Sequence, residues 1–137
     1  MCDCNRRTFV ALAAAACAFP AHALDASHSP FVAEAERMRN EAVARSDQSY
    51  GAVVVRDGVI VGYGPSRVIA DRDPDAHAER VALRDAQKRL GATDMPGAMI
   101  YSTSRPCTAC ENALAVANVE RMYHGPEATD AGKPQRR

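Results

Sequence analysis

From residue 30 to about residue 45, Phe31, Ala35, Met38 and Ala42 recur at helical spacing, with Val32 and Val43 beside them and Glu34, Arg37 and Glu41 on the other side. This pattern predicts an amphipathic first helix, with Ser29 as its cap and Pro30 in its first position. Its apolar stripe needs a sheet to cover. Two β-branched runs follow, residues 51–55 and 59–63, separated by Arg56-Asp57-Gly58, whose Asp-Gly pair is a strong hairpin signal. Their near-continuous apolar character predicts burial on both faces.

The segment 64–75 is rich in Gly, Pro, Asp and Ser and reads as a surface loop. A second helix is predicted over 77–90, with Val81, Ala82, Leu83, Ala86 and Leu90 as its apolar set, Asp75 as its cap and Gly91 as its stop. A strand over 98–103, a helix over 107–118 opened by Pro106, and a strand over 119–124 complete the pattern. The tail from Gly125 onward is polar and reads as loose. This order predicts an α/β fold with helices on both faces of a mixed sheet of four or five strands.

The first residues alter the picture. Arg6 and Arg7, then Thr8 and Phe9, an alanine-rich apolar run, Pro20 and Ala21-His22-Ala23 have the layout of a cleaved export signal over 1–23. The arginine pair with Phe two residues on resembles a twin-arginine signal, so the chain is expected to be exported, to a periplasm. Lipidation at Cys17 is the weaker alternative, because Ala14 is a poor match to the larger aliphatic usual there. Residues 24–124 then form the domain and 125–137 the tail. No stretch after Leu24 is apolar for the roughly 20 residues a membrane span needs.

Cleavage leaves Cys107 and Cys110 of the five cysteines, and 15 basic residues against 16 acidic. A balance so near neutral gives no footprint for gripping a nucleic-acid backbone, and small substrates fit it better.

The chemistry lies where predicted elements meet. His77-Ala78-Glu79 opens the second helix, and Pro106-Cys107-Thr108-Ala109-Cys110 opens the third. Helix N-termini present free amides and a positive dipole end, which favour thiolate sulfur. Two cysteines three apart reach one ion, and a neutral His77 adds a third ligand. Three protein ligands leave a fourth tetrahedral position for water, as in a catalytic and not a structural zinc site. Zinc lowers the pKa of bound water from about 15.7 toward about 7, and Glu79, two residues from His77, is then placed to carry the proton. A Cys107–Cys110 disulfide is the other reading of the pair, but so short a loop strains the bridge.

H-x-E followed by P-C-x-x-C, here thirty residues apart, is the zinc deaminase signature. The chain resembles the cytidine and deoxycytidylate deaminase superfamily from about Phe31 to His124. Within it, GAVVVRDGVIVGYG, DPDAHAERVALRDA and IYSTSRPCTAC look most like the branch holding guanine, cytosine and tRNA adenosine deaminases. The resemblance implies a three-layer α-β-α fold and hydrolysis of a nucleobase, nucleoside or nucleotide amino group, guanine or cytosine type first. Zinc-bound hydroxide is then the nucleophile, Glu79 the proton shuttle and ammonia the leaving group.

It further implies that backbone amides near Ala78 and Cys107 bind the ring or the attacking oxygen, and that Tyr50 walls the base. Tyr50 also reads as a core aromatic at a strand start. Relatives usually carry Asn eleven residues before the ligand His, where this chain has Ser66, and Glu before Pro106, where it has Arg105. Arg105 beside the pocket suits a phosphate or carboxylate, or is a solvated surface residue. Relatives also continue past the fourth strand, so a homodimer is expected to cover exposed sheet edges and close the pocket. Two further readings stay open: a non-catalytic zinc-binding module, and an adenosine deaminase of tRNA or other nucleic acid.

Overall fold

The structure is a computed structural model that describes residues 28–137, and the export signal expected over 1–23, with Cys17, lies outside the described residues. Helix α1 (Ser29–Ala44) precedes strands β1 (Gly51–Arg56) and β2 (Val59–Pro65), helix α2 (Ala78–Leu90), β3 (Met99–Ser102), α3 (Thr108–Val116), β4 (Arg121–His124) and β5 (Thr129–Gly132). The strands form one mixed sheet in the order β2-β1-β3-β4-β5, parallel only between β3 and β4.

The hairpin forms as its sequence requires. Asp57 and Gly58 both have positive φ, 53° and 73°, the conformation of a two-residue turn whose twist matches its strands. β1 is buried on both faces, and alternate residues serve different layers. Val53 and Val55 pack with Met38 of α1 and Tyr101, while Ala52 and Val54 join Ala78, Ala82, Leu114 and Met122 on the opposite face. Helix α1 thus covers one face and α2 and α3 the other, which gives the three layers. β2 is the sheet edge and is only half buried, so the expected two-sided burial holds for β1 and not for β2.

Both expected helix caps are displaced. Ser29 is the first residue of α1, with His28 in the cap position and Pro30 one residue further in. Asp75 forms an ion pair with Arg80 at 3.0 Å instead of capping α2, whose cap position belongs to His77. The tail is ordered and not loose. Residues 125–128 turn the chain into β5, Arg121 and Asp130 pair at 2.6 Å across the last two strands, and Pro134 is buried. Beyond it, the amide of Gln135 donates to Glu111 at 3.2 Å, and the amide of Arg137 to Asn112 at 2.8 Å, which ties the terminus to α3. Among the described residues no helix is long and apolar enough to cross a membrane.

Candidate active site

Helices α2 and α3 start side by side on one face of the sheet, and each places a ligand-type residue at its cap position. His77 (φ −61°, ψ 152°) and Cys107 (φ −70°, ψ 167°) have the extended backbone of a cap, yet neither side chain bonds its own helix. Both turn toward one another. A side chain at this position ordinarily satisfies a free amide of the first turn; here imidazole and sulfur are released from that duty. Cys110, one turn into α3, is fully buried beneath them.

His77 Nδ1 lies 3.6 Å from Cys107 Sγ and 3.5 Å from Cys110 Sγ. The three atoms all fall within 4.8 Å of one another and form the one such group among the described residues. This spacing tests whether zinc fits. With Zn–S bonds of about 2.3 Å and a Zn–N bond of about 2.05 Å, tetrahedral angles separate a nitrogen from a sulfur by about 3.6 Å. Both nitrogen–sulfur edges of the donor set therefore have the length that tetrahedral zinc requires, and three donors leave one corner open. Burial first, and then the adjacent Glu79 carboxylate, push the Cys110 thiol well above the ordinary range, so a cation at the site is what would favour its thiolate form. Both cysteines are free thiols, so the disulfide reading is not the one the structure adopts.

Glu79 lies in the first turn of α2, buried, with Oε1 accepting a 2.7 Å hydrogen bond from Ser102 Oγ and Oε2 3.7 Å from Cys110 Sγ. It faces a cavity of about 180 Å³ lined by Gln48, Tyr50, His77, Glu79, Ser104, Arg105 and Cys107. That is below the roughly 300 Å³ at which pockets for drug-sized ligands begin, and it suits a single heterocycle.

Residues 25–125 match the family described as the cytidine and deoxycytidylate deaminase zinc-binding region. The chain belongs to the cytidine and deoxycytidylate deaminase family. Curated relatives include guanine deaminase of Bacillus subtilis (strain 168), 35% identical over 108 residues that cover 78% of this chain and 69% of that protein. They also include a tRNA-specific adenosine deaminase of Agrobacterium fabrum, 36% identical over 88 residues, 64% of this chain and 58% of the relative. Among solved structures, Bacillus subtilis guanine deaminase superposes with a TM-score of 0.68 at 33% identity, covering 72% of this chain and 63% of that one. A structure from studies of tRNA:A34 deaminases superposes equally well, TM-score 0.68 at 35% identity, with 70% of each chain covered. His77, Cys107 and Cys110 are the candidate ligands of this zinc-binding deaminase domain.

The remaining site residues divide. Tyr50 is 46% exposed on the cavity wall and is not a core aromatic. Arg105 is exposed at the same cavity, and among the described residues no carboxylate pairs with it. Ala78 and Pro106 are buried behind the lining. Ser66 is not a lining residue. Its short hydroxyl donates to Asp47 Oδ1 at 3.0 Å, in the buried interior, where it organises a loop. Three features escaped the sequence reading: Ser102, Gln48 and Ser104. A single serine in an apolar strand is a faint signal of a polar partner across the layer, and nothing in the spacing marks Gln48 or Ser104.

Proposed function

We propose that this member of the deaminase family hydrolyses the exocyclic amino group of a small nucleobase, nucleoside or nucleotide, guanine or cytosine type ahead of adenosine. One observation carries the reading: the buried Glu79 carboxylate faces the cavity directly beside an open three-donor metal set. A purely structural zinc site has no use for that acid.

His77 Nδ1, Cys107 Sγ and Cys110 Sγ are the residues to hold zinc, which when bound supplies Lewis acidity toward a water molecule at neutral pH. Glu79 takes one proton as the water oxygen adds to the amino-bearing ring carbon and passes it to the adjacent ring nitrogen; it then carries the second proton, from the new hydroxyl, to the departing amine, and a carbonyl remains. The bond formed is C–O, the bond broken is C–N, and ammonia leaves. Tyr50 offers a flat wall for the ring. The small cavity and the guanine deaminase relative both support a free base over a polymer.

The experiment is ammonia release by residues 24–137 at known zinc content across guanine, cytosine and adenine with their nucleosides and nucleotides, Glu79→Gln alongside. Turnover of one substrate that vanishes in Glu79→Gln, with zinc retained, is the expected result. No turnover by a folded, zinc-loaded protein would favour the non-catalytic module.

A second reading, an adenosine deaminase of tRNA, draws support from the tRNA-specific relatives at similar identity. It requires salt-sensitive RNA binding, which the near-neutral balance of the chain disfavours. Export of residues 24–137 through the signal at 1–23 belongs to the same proposal and favours a small substrate further. N-terminal sequencing of protein recovered outside the cytoplasm tests it, with Leu24 as the expected first residue.

A further inference from the structure

Two buried side chains from different layers meet where Glu79 borders the cavity. Ser102, 3% exposed, ends β3, and Glu79, 5% exposed, opens α2. They are joined by the 2.7 Å hydrogen bond from the serine hydroxyl to Oε1. The donor is rigidly mounted. β3 is the middle strand of five, where Ser102 stands in register with Ala52 on one side and His124 on the other, and its carbonyl accepts the Gly125 amide at 3.0 Å. With its backbone fixed on both sides, Ser102 retains only rotation about its own side-chain bond. Glu79, by contrast, has three rotatable bonds.

We propose that Ser102 is a positioning residue for Glu79: it pins Oε1 to the sheet and thereby leaves Oε2, the oxygen on the Cys110 side, as the one that exchanges protons with substrate. Among the described residues Ser102 Oγ is the one donor to Oε1, and a buried acceptor that loses its donor carries the full cost of its desolvation. Removing the hydroxyl leaves a buried carboxylate oxygen unpartnered, so the side chain turns away to find one. Misplacement of a reacting group by about 1 Å costs on the order of 10²-fold in rate.

The kinetic consequence rests on the deaminase reading above; the placement of Glu79 does not. The test compares wild type and Ser102→Ala, each loaded with zinc and checked for metal content and melting temperature, by crystal structure and by kinetics on whichever substrate the wild type turns over. In Ser102→Ala the Glu79 carboxylate is expected to leave its rotamer or split between two, while zinc content stays at the wild-type level. kcat is expected to fall about 10- to 100-fold with KM within about twofold. In a Glu79→Ala background, adding Ser102→Ala should change the residual rate by less than about twofold, because the serine acts only through that carboxylate. An unmoved Glu79, an undiminished kcat, or a full additional loss in the Glu79→Ala background would overturn the proposal. If the wild type releases no ammonia from any base, the deaminase reading fails by itself, and the rotamer of Glu79 alone decides the role of Ser102.

Discussion

Ser66 donates its hydroxyl to Asp47 at 3.0 Å, and the same carboxylate accepts the amides of Gln48 at 2.8 Å, Ile69 at 3.1 Å and Ala70 at 2.8 Å. One acidic side chain thus gathers the end of α1, the approach to β1 and the loop after β2. Gln48 and Tyr50, which follow it, line the cavity. Burial pushes the Asp47 carboxyl up, but its four donors outweigh that and hold it below its ordinary value. A depressed carboxyl contributes stability above its unfolded pKa of about 3.9, and the contribution is lost as pH falls through the lower folded value. Asp47→Asn is therefore expected to be less stable than wild type by about 1–3 kcal/mol at pH 7, with the gap closing below about pH 4. Urea denaturation of both proteins from pH 3 to pH 7 measures the gap, and comparison at each pH cancels any contribution from metal. A gap that widens toward acid would contradict the assignment.

Two glycines separate crowding from backbone strain. A Cβ on Gly64 would overlap the carbonyl oxygen of Ala78 and the amide of Ala82, so β2 rests directly on the α2 backbone. Gly58 has open space around it but a φ of +73°. Gly64→Ala should cost at least about 3 kcal/mol and weaken zinc binding, since it displaces the turn that carries His77 and Glu79. Gly58→Ala should cost about 1 kcal/mol, from the left-handed backbone alone, and leave zinc affinity unchanged. Urea midpoints with zinc titrations distinguish the two. Equal losses of zinc affinity would mean that the contact of β2 with α2 does not set the site.

The parts of this site legible in the sequence are those whose chemistry is tied to short spacing along the chain. His77 and Glu79 share one turn, as do Cys107 and Cys110, and the Asp57-Gly58 turn announces itself by residue type. The parts that were not legible are joined across the fold. Nothing near Ser102 signals Glu79 twenty-three residues earlier, and nothing near Ser66 signals that Asp47 occupies its hydroxyl. β5, Thr-Asp-Ala-Gly, has no apolar alternation and only one β-branched residue. It becomes a strand because β4 offers it an unpaired edge and because Arg121 holds Asp130. The caps misled for a related reason: Asp75 has the right type and place to cap α2, but the extended chain at His77 takes the position and Arg80 takes the carboxylate.

Metal should be inseparable from stability. Chelation leaves the three donors without their cation, and replacement of any one of His77, Cys107 and Cys110 leaves only two donors to hold it. At free zinc about 100 times its Kd the ion adds about 2.7 kcal/mol, which for a domain of this size raises Tm by roughly 10 °C. His77→Ala and Cys110→Ser are expected to lose both bound zinc and that increment, while Glu79→Gln keeps both. Metal analysis paired with melting curves, with and without chelator, provides the check. A full zinc complement in Cys110→Ser would remove that sulfur from the ligand set.

Arg105 is expected to set what charge the mouth of the cavity prefers. It is exposed, lines the cavity, and has no carboxylate partner among the described residues, whereas Arg80, Arg84 and Arg89 are all engaged with aspartates. The donor set adds little net charge once zinc is bound by two thiolates, so the free guanidinium dominates at the rim. An exposed charge is worth only about 0.5–1 kcal/mol, which sets the effect at about two- to fivefold. Among substrates the enzyme turns over, Arg105→Ala should raise KM by that factor for those bearing a phosphate or carboxylate and leave neutral bases unchanged. Arg105→Glu should roughly double the logarithm of the effect. Both differences should shrink as salt shortens the screening length below its physiological value of about 8 Å. In the proposed reaction Arg105 carries no proton, so kcat should not move in either variant. If KM rises equally for charged and neutral substrates, Arg105 shapes the wall and does not select the anion; if KM does not move at all, it is a solvated residue that the cavity merely touches.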